Sequence, residues 1–155
     1  MNSIQKKLVS SIYKLWEAAQ KYDEQFRVQD IPDVGLVVVS SHVLIRLPKD
    51  CPHPFRADKE EARITDVMKD YLTGKDSVTA FDTGDMSTFG RNLVAKKIAY
   101  GTDGKSVFVS KSLFAFAPPL VDHLDLYKGS LIRVYAEGEE LPVMGITIYR
   151  NPEDR

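Results

Sequence analysis

The chain has 155 residues, of which 43% are hydrophobic and 28% are charged, a composition typical of a globular domain and not of a disordered segment. Its 21 basic and 22 acidic side chains give a net charge of -1, which argues against a strongly basic coat protein for nucleic acid and against an acidic tail. The single cysteine excludes an internal disulfide framework and a zinc site built from several cysteines.

Targeting signals are absent from the pattern of the sequence. No uninterrupted apolar run follows the first lysines, so we expect no signal peptide, and no window approaches the 18 apolar residues of a membrane span. We therefore expect a cytoplasmic protein without a membrane partner. Residues 1–150 are predicted to form one domain and residues 151–155 a polar tail.

Residues 3–23 are predicted to form an amphipathic helix that begins after an N-cap at Ser3, because apolar side chains recur at spacings of three and four. The stripe predicted to face the core consists of Ile4, Leu8, Ile12, Leu15, Trp16, Ala19 and Tyr22.

Three lysines of this helix, Lys7, Lys14 and Lys21, recur every seven residues. They drift by only about 20° per step, so they form a line along one side of the helix. Residues 3–22 contain four lysines and one glutamate, a net charge of +3 in a chain of net charge -1. Such a line of ammonium groups could contact a phosphate backbone without reading its sequence. The alternative is an ordinary solvated helix face.

The rest of the chain is predicted to form short strands with few helices. Residues 35–39 and 42–47 are predicted to form a hairpin around Ser40 and Ser41, followed by a proline-rich loop over residues 48–54 and a helix over residues 58–72. Further strands are expected at 77–81, 92–100, 106–109, 131–135 and 141–149, a loop at 82–90, and short helices at 110–117 and 120–126. Because the strands cluster, we predict an α+β fold: a mostly antiparallel sheet packed by the N-terminal helix and one or two further helices.

Candidate catalytic groups are sparse. Cys51 and His53, with His42 nearby in sequence, lack the ligand spacing of a zinc site. A Cys–His nucleophile would also need a third group to orient the imidazole, which neighbours in a proline-rich loop rarely arrange. Asp82, Asp85 and His123 could serve a small enzyme as paired carboxylates and a general base if they met in one cleft. No glycine pattern of a nucleotide-binding loop is present. We expect no metal and no cofactor, and we favour a protein that is not an enzyme.

An aromatic cluster near residue 115 gives a third hypothesis. Phe114 and Phe116, with Phe108, could form a docking surface that Pro118 and Pro119 hold in place, as in an interaction module of a virus or mobile element. Phenylalanines at such positions more often belong to the core.

Residues 92–148 resemble half-domains of DNA sliding clamps. The similar features are a strand over residues 92–100, a Thr-Asp-Gly turn at residues 102–104, and a strand and helix over residues 106–115. Segments 131–134 and 141–144 then resemble the closing strands. The helix and hairpin of the N-terminal half would be a first copy without its opening strand. Clamps have several domains per chain, and residues 48–54 have no counterpart in that pattern.

The resemblance implies a clamp-like protein without catalytic residues, in which lysine-bearing helices face DNA and an outer groove takes partner peptides. One domain cannot encircle DNA, so it also implies a homo-oligomer. Our leading hypothesis is accordingly a non-enzymatic binding or scaffold domain that associates with nucleic acid or with a protein partner.

Overall fold

In the computed structural model, residues 1–88, 93–117 and 121–149 are described. The helices are α1 (Ser3–Tyr22), α2 (Ala62–Thr73) and α3 (Lys111–Phe114). The strands are β1 (Phe26–Ile31), β2 (Gly35–Ser40), β3 (Val43–Leu47), β4 (Ser77–Thr88), β5 (Val94–Tyr100), β6 (Lys105–Ser110), β7 (His123–Tyr127), β8 (Leu131–Tyr135) and β9 (Met144–Thr147). No helix within these ranges is long and apolar enough to cross a membrane.

All nine strands join in one sheet in the order β1-β2-β3-β9-β8-β7-β4-β5-β6. Every neighbouring pair is antiparallel. The α+β fold with an N-terminal helix and two further helices is therefore confirmed. The predicted hairpin is also confirmed, but its turn lies at Ser41 and His42, one residue later than predicted, since Ser40 pairs with Val43.

The N-cap of α1 lies one residue earlier than predicted. Asn2, not Ser3, is the N-cap: its side chain accepts a hydrogen bond from the backbone N–H of Gln5, and the Gln5 side chain accepts one from the backbone N–H of Asn2. This reciprocal capping box satisfies two of the amide groups that a helix start leaves without partners.

Alternate residues of the central strands pack on opposite faces of the sheet, as the period of two requires. One face, here called the α1 face, packs Val38, Ile45 and Ile132 against α1 and α3 in the larger core cluster. The other, here called the α2 face, packs Val37 and Leu44 against α2 in a smaller cluster. The sheet therefore separates α1 and α3 from α2.

The sheet contains a helix-plus-three-strands unit twice. Helix α1 leads into the meander β1-β2-β3, and helix α3 leads into the meander β7-β8-β9. The two last strands pair antiparallel at the centre of the six, with Leu44 opposite Gly145. Both helices lie on the α1 face, and the strands of the two units follow opposite orders on the two sides of the β3–β9 pair.

Strand β1 was not predicted, and two predicted segments have a different secondary structure. Strand β4 continues to Thr88 through an irregular pairing with β5 between Asp82 and Met86. The composition had suggested a loop there. Such a bulge lets a polar, glycine-containing segment remain part of a sheet. Residues 123–127 form β7 and not a helical turn, because alternation places Leu124 and Leu126 in the α1-face core. Pro118, Pro119 and the tail at 151–155 lie outside the described residues.

Candidate lysine-bearing surface on helix α1

The three lysines of the predicted line all lie on α1 and are all exposed. The buried side of the helix consists of Leu8, Ser11, Ile12, Leu15 and Ala19. On the helical wheel the lysines lie about 100° to 140° from the centre of that buried side, at 100° per residue. We call Lys7, Lys14 and Lys21 the lysine ridge.

The lysine ridge is not neutralised by acids. None of its ammonium groups lies in an ion pair with another residue that the structure describes. The Nζ of Lys21 lies 5.3 Å from the centroid of the Tyr22 ring, a contact that leaves the charge intact. Glu17, the only acid of α1, follows Lys14 by three residues and precedes Lys21 by four, so it lies beside the ridge on the helix surface. The ridge therefore keeps a net positive charge that this one acid lowers.

Two aromatic residues of the predicted buried stripe are in fact exposed. Trp16 is 46% exposed because it lies just outside the buried arc of α1, which is narrower than the stripe that the spacing suggested. Tyr22 is 63% exposed although it lies within that arc, since it is the last residue of the helix. Tyr13, outside that stripe, is also 46% exposed. Its ring centroid lies 5.1 Å from that of Phe55 in the proline-rich loop. Tyr13 shares a shallow depression with Lys6 and Lys14, whereas Trp16 lies about 140° to 180° around the helix from the lysine ridge.

A groove of about 420 Å³ lies between α1, the β2–β3 turn, α3 and the end of β9. Its apolar lining includes Leu15, Ala18, Val43, Leu113, Phe116 and Ile148. Ala18 follows Lys14 by four residues and precedes Lys21 by three, so both lysines neighbour it on the helix surface. The lysine ridge therefore borders the rim of this α1–α3 groove.

The two phenylalanines singled out for partner binding have different environments. Phe114 is 3% exposed and belongs to the α1-face core, with the Nζ of Lys96 at 5.5 Å from its ring centroid. It cannot touch a partner without a rearrangement of α3. Phe116 is partly buried and lines the α1–α3 groove. The interaction-module hypothesis stays a prediction, and within the described residues only Phe116 of this pair could carry it.

Asp82 and His123 lie on opposite faces of the sheet. The Asp82 carboxylate pairs with Lys96 at 3.1 Å, on the α1 face. The His123 ring stacks on Tyr135 at 4.3 Å, on the α2 face, and its Nδ1 lies 2.8 Å from a carboxylate oxygen of Asp122. The sheet therefore holds apart the acid and the base that the enzyme hypothesis needs together.

Asp85 lies in the irregular part of β4 and is exposed. Its backbone N–H donates to the hydroxyl of Thr83 at 3.1 Å, and the backbone N–H of Gly84 donates to the Asp82 carboxylate at 2.9 Å. These short-range bonds are typical of turn-forming side chains that satisfy their own backbone.

The cysteine and the histidines near it do not form a nucleophilic pair. Cys51 is buried in the α1-face core, and burial raises the pKa of its thiol. The Nδ1 of His53 accepts the backbone N–H of Phe55 at 3.2 Å. His42 precedes β3 and Cys51 follows its other end, and a strand of five residues spans about 17 Å at about 3.3 Å per residue. A raised thiol pKa is the opposite of what a reactive cysteine requires.

A buried ionic network that the sequence did not reveal fastens α2 to the sheet. The guanidinium of Arg133 donates to both carboxylate oxygens of Asp125, at 2.8 Å each. It also donates to the carbonyls of Tyr71 and Gly74 at the end of α2, at 3.0 and 2.8 Å. The Asp125 carboxylate accepts the Tyr135 hydroxyl as well. All these groups have hydrogen-bond partners, so we interpret the network as structural and not catalytic.

The chain matches no protein-family model, no curated protein and no solved structure at a significant level. The surface on α1 therefore has to be interpreted from its own geometry.

Proposed function

We propose that this protein is a non-enzymatic domain that binds nucleic acid through the lysine ridge of α1. The observation that carries the proposal is the array of three exposed ammonium groups, free of acidic partners among the described residues, on a chain of net charge -1. Lysines in that arrangement bind phosphates as point charges and read no sequence.

The clamp-like form of the proposal rests on the resemblance of residues 92–148 to sliding-clamp half-domains, in which the helices face DNA. Helices α1 and α3 lie on one face of a continuous antiparallel sheet, which is the arrangement that this form needs. The basic helix lies on that same face. A ring would need several copies of the chain, so the mass of the protein in solution tests the homo-oligomer that the resemblance implies.

The separation of Asp82 from His123 also supports a binding role over an enzymatic one. A hydrolytic or proton-transfer site needs its acid and base within reach of one reacting group. In this fold Asp82 instead forms an ion pair with Lys96, and the His123 ring stacks on Tyr135.

Charge reversal on α1 tests the proposal. A fluorescently labelled 20-nucleotide DNA, as a single strand and as a duplex, is titrated at low salt with the natural protein and with Lys7→Glu/Lys14→Glu. We expect the double variant to lose at least tenfold in affinity for whichever form is bound. The control is Lys59→Glu/Lys69→Glu, which makes the same charge change at exposed lysines away from α1. Equal losses in both variants, or no binding by the natural protein, would overturn the proposal.

A further inference from the structure

One edge of the sheet, β1, is covered by the chain that connects β3 to α2. The backbone groups of alternate residues in an edge strand point away from the sheet, where they could pair with a further strand. Val28 is the central outward-pointing residue of β1, because its N–H and its C=O both bond to Asp58. By the same alternation, Phe26 and Asp30 also present their backbone groups outward.

Residues 58–61, here called the strap, lie against this edge. The backbone N–H of Val28 donates to the Asp58 carboxylate at 2.7 Å, and the backbone N–H of Asp58 donates to the C=O of Val28, also at 2.7 Å. Asp58 thus gives Val28 the donor and the acceptor that a neighbouring strand would give it. The strap therefore occupies the place beside β1 that a further strand would take.

A buried polar side chain of β1 also binds the strap. Gln29 is 2% exposed. Its carboxamide nitrogen donates to the C=O of Lys59 at 3.3 Å, and its carboxamide oxygen accepts the backbone N–H of Glu61 at 3.3 Å. On the exposed side, the guanidinium of Arg27 pairs with the Glu61 carboxylate at 3.1 Å. Because a buried carboxamide is costly to leave unsatisfied, Gln29 fixes the position of the strap.

We propose that the strap is a removable cover of the β1 edge, and that its release lets β1 pair antiparallel with β1 of a second copy of this chain. This inference is independent of the lysine ridge and goes beyond the proposed function. With Val28 opposite Val28 of the second copy, Phe26 lies opposite Asp30. Arg27 then lies opposite Gln29, so no like charges face each other across the pair. Such a contact uses the same surface of both copies and closes as a dimer.

The double variant Gln29→Leu/Asp58→Ala releases the strap, because it removes the side-chain bonds that hold it. In dilute protein the Val28 amide should exchange its hydrogen about 10- to 150-fold faster than in the natural protein, since it loses a bond to a charged acceptor. Sedimentation at rising protein concentration should show a dimer of the natural species, with the Val28 amide protected again. Asp66→Ala is the matched control, since it removes an exposed carboxylate of α2 outside the strap.

Asp30→Pro distinguishes pairing at this edge from nonspecific aggregation. A proline whose nitrogen faces away from the sheet leaves the pairing with β2 intact but cannot bond to a further strand. Added to the double variant, it should restore the mass of the natural protein. Thermal unfolding verifies that each variant is folded, and if the double variant is not, Asp58→Ala alone is measured in its place. A folded variant that keeps the natural mass at every concentration, or that associates equally with Asp30→Pro, would overturn the inference.

Discussion

Removal of the Asp125 carboxylate should destabilise the protein far more than removal of an exposed carboxylate. The guanidinium of Arg133 is 3% exposed and the Asp125 side chain 13%. Asp125→Asn would leave that buried positive charge without its counter-ion, while its hydrogen bonds to the carbonyls of Tyr71 and Gly74 remain. A buried pair broken on one side costs about 3–5 kcal/mol. The retained bonds place the expected loss near the lower end, at about 3 kcal/mol.

Urea unfolding measures this loss, because the free energy of unfolding falls linearly with denaturant. Glu61→Gln is the control: it breaks the pair between Arg27 and Glu61, whose side chains are 45% and 43% exposed. Such surface pairs contribute about 0–1 kcal/mol. A second variant, Asp125→Leu with Arg133→Met, removes both charges and should lose less than Asp125→Leu alone. A loss of unfolding free energy in Asp125→Asn no larger than that in Glu61→Gln would contradict this prediction.

Three further predictions concern single side chains. Gly74→Ala should cost about 1–3 kcal/mol in urea unfolding, because its new Cβ would meet the ring and hydroxyl of the buried Tyr127. An unchanged free energy of unfolding would contradict this. Burial, and then the hydrogen bond to the Asp125 carboxylate, raise the pKa of Tyr135 to about 12. The neutral phenol therefore stabilises the fold fully below about pH 10, its ordinary pKa, and that contribution is lost as the pH rises towards 12. Tyr135→Phe should remove this loss of stability at alkaline pH. In an absorbance titration it should also remove the one phenol that ionises late, and an unchanged titration would contradict the raised pKa of Tyr135. The buried thiol of Cys51 should react with a thiol reagent only as fast as local unfolding exposes it. Rapid labelling of the native protein at neutral pH would contradict the burial of Cys51.

The sequence predicted the fold class and most of the elements because their apolar patterns are local. The three- and four-residue spacing of Leu8, Ile12 and Leu15 specifies α1, and the runs around Val38 and Ile45 specify a hairpin. Strand β7 was misassigned because the pattern of residues 123–127 is short. Only its pairing with β4 and β8 shows that Leu124 and Leu126 face a core.

The surface of α1 was predicted in part. The spacing of Lys7, Lys14 and Lys21 placed them on one side, since helix geometry alone determines that. The exposure of Trp16 was missed, because periodicity assigns a wide apolar arc to the core and cannot measure how much of that arc the sheet covers. The Arg133–Asp125 pair also could not be predicted, because it depends on the register between β7 and β8.

The dependence of binding on salt tests the lysine ridge most directly. Each phosphate contact adds about 0.9 for a duplex, or about 0.7 for a single strand, to the downward slope of log affinity against log salt. If all three lysines contact phosphates, Lys7→Gln/Lys14→Gln/Lys21→Gln should reduce that slope by about 2–3, whereas Lys59→Gln/Lys69→Gln/Lys75→Gln should leave it unchanged. The same slope in both triple variants and in the natural protein would contradict the account.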